Sequence, residues 1–392
     1  MTPHVTSSWT GRRFEVTVGN VAHGGHCVAR HEGRVVFVRH TLPGERVVVE
    51  VTEDKGGSFC RGDAVSVLTA SPDRVDPSCP VAVPGGCGGC DWQHASWPAQ
   101  LSLKAAVVRE QLSRLAKLDV PVEVEELPGG PLRWRTRARL TVDGSGHAGF
   151  HAHRSHRVVP VKDCPISAYG TVDAVVDRTW EPGTSLTVAV DSTARTHVSV
   201  GDAAEEMALE KAVRRTWEVP ADGFWQAHPD AADVYAEVVA GWTGLGEGDA
   251  AWDLYAGVGL FAAVLAEQVG ATGSVMAVES YRPAAETAAS NLADLPQVRV
   301  FAGKVEAVLK AGEGPDPSVV VLDPPRKGAG RVIVDAIASR GTERVVYVAC
   351  DPAALARDVA TFAGHGFRLA GLRAFDAFPM THHVECVALL ER

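Results

Sequence analysis

One stretch limits the fold more than any other: "AAWDLYAGVGLFAAVLA", residues 250–266. A run of β-formers leads into a turn holding Gly257 and Gly259, and an apolar, helix-forming segment follows. After it come "GSVMAVES", "QVRVFAG", "SVVVLDPP", "RVVYVACDP", "RLAGLRAF" and "HVECVALLE", with helical stretches between the earlier ones. Strands that alternate with helices specify a doubly wound, largely parallel α/β sheet from about residue 219 onward. Such sheets bind their ligands outside the carboxyl ends of the strands. That is where this sequence sets Asp253, Tyr255, Glu279, Asp323 and Cys350.

The two glycines let a ligand approach the backbone, and the helix they open offers free N–H groups. Glu279 ends the next strand 20 residues on, where a carboxylate accepts from ribose hydroxyls. Read literally, G-x-G-x-x-A also fits a nicotinamide cofactor. Asp253 and Asp323 weigh toward S-adenosylmethionine, because acids attract a cationic sulfur and repel a pyrophosphate. The prolines of "DPPRKG" stiffen the loop that carries Asp323. Asp-Pro-Pro loops also serve enzymes that methylate amino groups, although Arg326 stands here where those carry an aromatic residue.

A chain of 392 residues exceeds a single core. Residues 1–72 read as a small OB-like β-barrel, with five short strands between Gly and Pro turns. Residues 73–218 read as a mainly β central domain and 219–392 as the Rossmann-like domain. The formal charge of −10 is uneven: the acid excess lies in the C-terminal half, while the front is slightly basic and holds most of the 15 histidines. That asymmetry suits a polyanion-handling module joined to an enzyme core. No apolar run is long enough for a membrane span, and the first residues lack a secretory core, so a cytoplasmic protein without a membrane partner is expected.

Cys79, Cys87 and Cys90 cluster in a Pro-rich passage, and Cys164 follows in "VKDCPIS". In a cytosolic chain four such thiols read as a metal centre, with zinc and a four-iron cluster both open. Cys27 and Cys60 fall within barrel strands as packing residues. "RWRTRARL" sets Arg133, Arg135, Arg137 and Arg139 at alternate positions, which on a strand would form one basic face for RNA phosphates; the competing reading pairs them with Glu123, Glu125 and Glu126. Cys350, at a strand end, is either a small core residue or a nucleophile. Glu385 sits in an apolar run, where a desolvated carboxylate makes a general base; the competing reading is an ion pair with Arg326 or Arg331.

Taken together, "CGGCDWQH", "FWQ", "DLYAGVG", "LDPPRKG", "YVACDP" and "HHVEC" resemble the S-adenosylmethionine-dependent RNA (uracil-5-)-methyltransferases, in the ribosomal RNA branch with a TRAM domain and an iron-sulfur centre. "HGGHCVAR" and "TLPGERV" look like TRAM turns. The resemblance implies a [4Fe-4S] cluster on Cys79, Cys87, Cys90 and Cys164. It implies cofactor contacts by Gln226, Tyr255, Glu279 and Asp323, with Cys350 as nucleophile and Glu385 as base. The implied substrate is a uridine in 23S ribosomal RNA or, on the same scaffold, transfer RNA; a monomer without an obligate protein partner is expected. A non-catalytic iron-sulfur RNA-binding protein is the alternative from another class. The chain departs from the family pattern at His228 and Asp351, where Asn is usual, at Leu260, and in a longer first cysteine gap.

Overall fold

The computed structural model describes residues 8–201 and 206–392. The chain opens with β1 (Arg13–Thr17), β2 (Cys27–His31), β3 (Arg34–Arg39), β4 (Arg46–Glu53) and β5 (Phe59–Thr69), ordered β1-β4-β5-β3-β2. Backbone bonds from Gly19 N to Val28 O at 2.7 Å and from Val28 N to Asn20 O at 3.0 Å join the end of β1 to β2. Alternate residues face inward, as strand geometry requires, so Val36, Val38, Val47, Val49, Cys27 and Cys60 share one core. Both cysteines are therefore packing residues.

Next comes β6 (Val124–Glu126), and then a second antiparallel sheet of β7 (Arg137–Val142), β8 (Ala148–His151), β9 (Val158–Pro160), β10 (Ser185–Val190) and β11 (Thr196–Val200), ordered β11-β10-β7-β8-β9. A hairpin follows, β12 (Met207–Ala212) and β13 (Arg215–Pro220).

The C-terminal sheet contains β14 (Ala250–Leu254), β15 (Ser274–Glu279), β16 (Val298–Ala302), β17 (Val319–Leu322), β18 (Arg344–Ala349), β19 (Arg368–Asp376) and β20 (Glu385–Glu391). Its order is β16-β15-β14-β17-β18-β20-β19-β6. β14 to β18 are parallel, whereas β20 runs antiparallel to both its neighbours. The order reverses between β14 and β17, which opens a crevice at their carboxyl ends.

The expected boundaries at 73 and 218 cut through packed cores: across the first, Val21 and Leu42 pack with Trp92 and Leu103. β6 pairs with β19 and lengthens the C-terminal sheet. Ala105, Val108 and Leu112 pack with Tyr347 and Leu355 of the C-terminal domain. Across the other boundary, Trp217 and Val219 share a core with Tyr235 and Phe261. Local pattern could not reveal this, because β6 and the helix Trp97–Gln111 find their partners some 250 residues later, as Lys104 does at Asp376. Among the described residues no helix is long and apolar enough to cross a membrane.

Candidate active site

The antiparallel insertion of β20 decides the geometry of the site. Its register sets Ala349 opposite Cys386, so the next pair along is Cys350 opposite Glu385. Had β20 run parallel, Glu385 would lie at the far edge of the sheet. A cleft of about 1350 Å³ covers this edge, and Gln226, Tyr255, Glu279, Asp323, Cys350 and Glu385 all line it. Six residues dispersed over 160 positions thus face one space.

The glycine turn works through backbone shape. Gly259 has φ +99° and caps the helix Leu260–Val269; a Cβ there would stand 2.6 Å from Leu292. Gly257 has φ +56° with open space above it, and its N–H donates to Glu279 Oε2 at 3.0 Å. The other oxygen of Glu279 accepts from Tyr281 N at 2.6 Å. Gln226 lies on a loop that is fixed from beneath. Thr136 N donates to Ala227 O at 2.9 Å, and the Trp134 ring stacks on His228 at 6.3 Å between centroids.

Glu279 is thus held by backbone donors, whereas among the described residues Asp253, Asp323 and Glu385 have no cation paired with them. Asp253 is fully buried and neither carboxylate oxygen has a hydrogen-bond partner, only the Ala262 backbone being near; burial, then the charges of Asp323 and Glu279, push it up to about 8. Burial pushes Asp323 up to about 7. Glu385 is 4% exposed and is raised well above the usual carboxylate range by burial and by Asp323. Among the described residues it makes no ion pair: Arg326 instead lies 3.4 Å from His383 Nε2, and Arg331 faces Asp335. Burial, then Glu385 and Asp323, push the half-buried Cys350 thiol up to about 12, with Arg326 opposing them. Burial of Asp323 and Glu385 on the wall of the cleft favours a positively charged guest there, while Lys304, Arg326 and Lys327 line other parts of it.

Three departures from the family pattern have a defined local setting. His228 is buried against Trp134. Leu260 is buried at the start of its helix. Asp351 caps the helix Pro352–Ala363 by accepting from Ala354 N at 2.7 Å. Sequence reasoning missed His383, Thr381 and Phe378, which also line the cleft; the doubled histidine of "THHVEC", two residues from the acid, was the available signal.

Cys79, Cys87, Cys90 and Cys164 line a second, smaller cavity together with Phe150, Val161 and Ile166. Gly89 N donates to Cys87 Sγ and Gln93 Nε2 to Cys90 Sγ, each at 3.4 Å. Among the described residues no three His, Cys, Asp or Glu are arranged to hold a metal ion. Arg135 and Gly89 form a wall common to this cavity and the cleft.

The four arginines do not form one strand face. Arg133 takes φ +59° before the strand begins, and it binds Asp163 through both guanidinium nitrogens at 2.7 Å. Arg137 is the first residue of β7 and pairs with the buried Glu210 at 2.9 Å. Neither of these two pairs with the glutamates of the competing reading, and Glu125 binds Arg373. Arg135 lies over the Phe150 ring, and Arg139 alone is exposed.

Residues 8–65 match the TRAM domain, and residues 313–392 match the family described as tRNA (Uracil-5-)-methyltransferase. The chain is 46% identical to an uncharacterized RNA methyltransferase of Streptomyces coelicolor, over 98% of this chain and 94% of that protein. It is 40% identical to another of Corynebacterium efficiens, over 100% and 97%. Among solved structures, tRNA (uracil-54, C5)-methyltransferase of Pyrococcus abyssi, in complex with S-adenosyl-L-homocysteine, shares its fold at a TM-score of 0.73 and 22% identity, covering 96% of this chain and 100% of that one. The chain is accordingly an S-adenosylmethionine-dependent RNA methyltransferase. It belongs to the RNA (uracil-5-)-methyltransferase family and carries a TRAM domain.

Proposed function

We propose that this protein methylates carbon 5 of a specific uridine through a covalent adduct on Cys350, with Glu385 as the base. The observation that carries the reading is the register that sets Cys350 opposite Glu385 beside Asp323, at one end of a single cleft. S-adenosylmethionine, when bound, supplies the methyl group as an electrophile on a cationic sulfur. Gln226, Tyr255, Glu279 and Asp323 would hold it, and the unpartnered acids and the open space over Gly257 fit such a guest.

Carbon 5 of uracil is too weak a nucleophile to react unaided. The Cys350 thiol releases its proton to water and its sulfur bonds to carbon 6, which pushes the C5–C6 electron pair through the ring and makes carbon 5 nucleophilic. Once carbon 5 carries the methyl group, Glu385 removes its remaining proton. The electron pair returns to the ring, the sulfur–carbon bond breaks, and the thiolate departs. Burial and Asp323 raise the affinity of Glu385 for a proton above the ordinary carboxylate range, which is the direction a general base needs. A paired uracil hides carbon 6, so the substrate base must be looped or flipped out.

The assigned substrate is 23S ribosomal RNA, on the strength of the family resemblance and the TRAM barrel. The four thiols gathered around one cavity fit a [4Fe-4S] cluster.

Glu385→Gln should stop the reaction after methyl transfer and accumulate a denaturant-resistant RNA–protein adduct. Cys350→Ala in the same chain should abolish it. An adduct that persists without Cys350 would overturn the assignment. Mass mapping of RNA from cells lacking the protein should show one uridine without its methyl group in 23S ribosomal RNA; a loss confined to transfer RNA would replace the substrate.

A further inference from the structure

One loop of the barrel, Val21–His26, reaches both shoulders of the site. His23 Nε2 lies 3.0 Å from Asp351 Oδ2, across 328 residues of sequence, and Asp351 directly follows Cys350. Two residues on, Gly25 is pressed against the loop that leads into Glu385. A Cβ on Gly25 would stand 2.8 Å from the Cβ of His382 and 3.4 Å from that of Asp91. Gly25 O accepts from Trp92 Nε1 at 3.1 Å, and Asp91 Oδ2 holds His382 Nδ1 at 2.6 Å. The barrel is thereby wedged between the element carrying the thiol and the element carrying the acid.

We propose that His23 is a positioning residue for the thiol: its imidazolium neutralises Asp351, so that Cys350 ionises without a third carboxylate set against it. The proposal rests on the reading of Cys350 as nucleophile. Glu385, Asp323 and, least of the three, Asp351 oppose the Cys350 thiolate by their charge, and Arg326 is the cation that favours it. Unlike those two acids, Asp351 has a titratable partner from another domain. Its remaining bonds are to Ala354 N and, at longer range, the charge of Arg357. Around His23 stand Asp351, Arg357 and Glu110. The hydrogen bond to Asp351 raises the affinity of His23 for its proton above the ordinary histidine value. The help it gives is thus complete at mildly acid pH and fades as pH rises through that raised value.

The test measures the reaction of Cys350 with methyl methanethiosulfonate, followed by mass spectrometry of its peptide in the full-length protein. At pH 6.5 the wild-type thiol should react about fivefold faster than in His23→Ala, and at pH 9.5, where His23 is neutral, the two rates should converge. Glu385 and Asp323 titrate alike in both proteins, so the ratio is free of them. His23→Gln, which keeps a hydrogen bond without the charge, should behave as His23→Ala. In an Asp351→Asn background, removing His23 should change nothing at either pH. A ratio of one at pH 6.5, a ratio equal at both pH values, or a His23→Gln protein that keeps the wild-type rate would overturn the proposal. This experiment reads thiol ionisation alone; failure of the nucleophile assignment would show in the adduct experiment instead.

Discussion

At the scale of residues, the site gathers buried acids, of which Asp323 and Glu385 line the cleft. Asp253 and Asp323 are raised to about 8 and about 7, chiefly by burial, and so hold protons that free carboxyls would have lost. A cationic ligand binds the ionised forms better and must displace those protons. The affinity for S-adenosylmethionine should therefore rise as pH climbs through about 7 and level off above about 8, with protons released on binding. S-adenosylhomocysteine, which lacks the sulfonium charge, should show a shallower rise. Calorimetry in buffers of different ionisation enthalpy measures both; parallel profiles for the two ligands would remove the acids from cofactor recognition.

At the scale of elements, the arginine segment shows where sequence reading fails. Alternation implied a strand, but the positive φ of Arg133 breaks it, and Arg137 is drawn to Glu210 on a hairpin 73 residues away. Removing Arg137 should cost about 3 kcal/mol of stability by leaving the buried Glu210 unpaired. Arg139→Ala, by contrast, should leave the melting temperature alone. If Arg139 meets RNA, its loss should flatten the salt dependence of binding by about 0.7 units of slope. Thermal melts and binding at several salt concentrations separate these effects. The glycine turn, the Asp-Pro-Pro loop and the strand-end thiol were legible because each is a local device with a short signature. The direction of β20 was not, since an isolated strand does not say which neighbour it will pair with or in which sense. The His23–Asp351 contact was hidden for the same reason: it spans 328 residues.

For the whole molecule, the cysteine cavity and the cleft meet at one wall, so the loop that holds Cys87 and Cys90 also shapes the catalytic space. Protein purified without oxygen should be brown and contain about four iron atoms per chain, as thiolate-bound clusters do. Cys164→Ala should lose iron and melt at a lower temperature, because ligand binding and folding are coupled. A colourless protein with one zinc per chain would reverse the metal assignment. The way β6 and Lys104 join β19 bears on how the enzyme is made. Lys104 is fully buried against Asp376 and Phe378 O, and β6 has β19 as its only neighbour in the sheet among the described residues. During synthesis these early segments leave the ribosome long before their partners and must wait with an apolar helix face uncovered. Glu385 emerges later still. The barrel can therefore form while the chain is growing, but on the proposed role of Glu385 no uridine can be released as product until β20 is paired between β18 and β19.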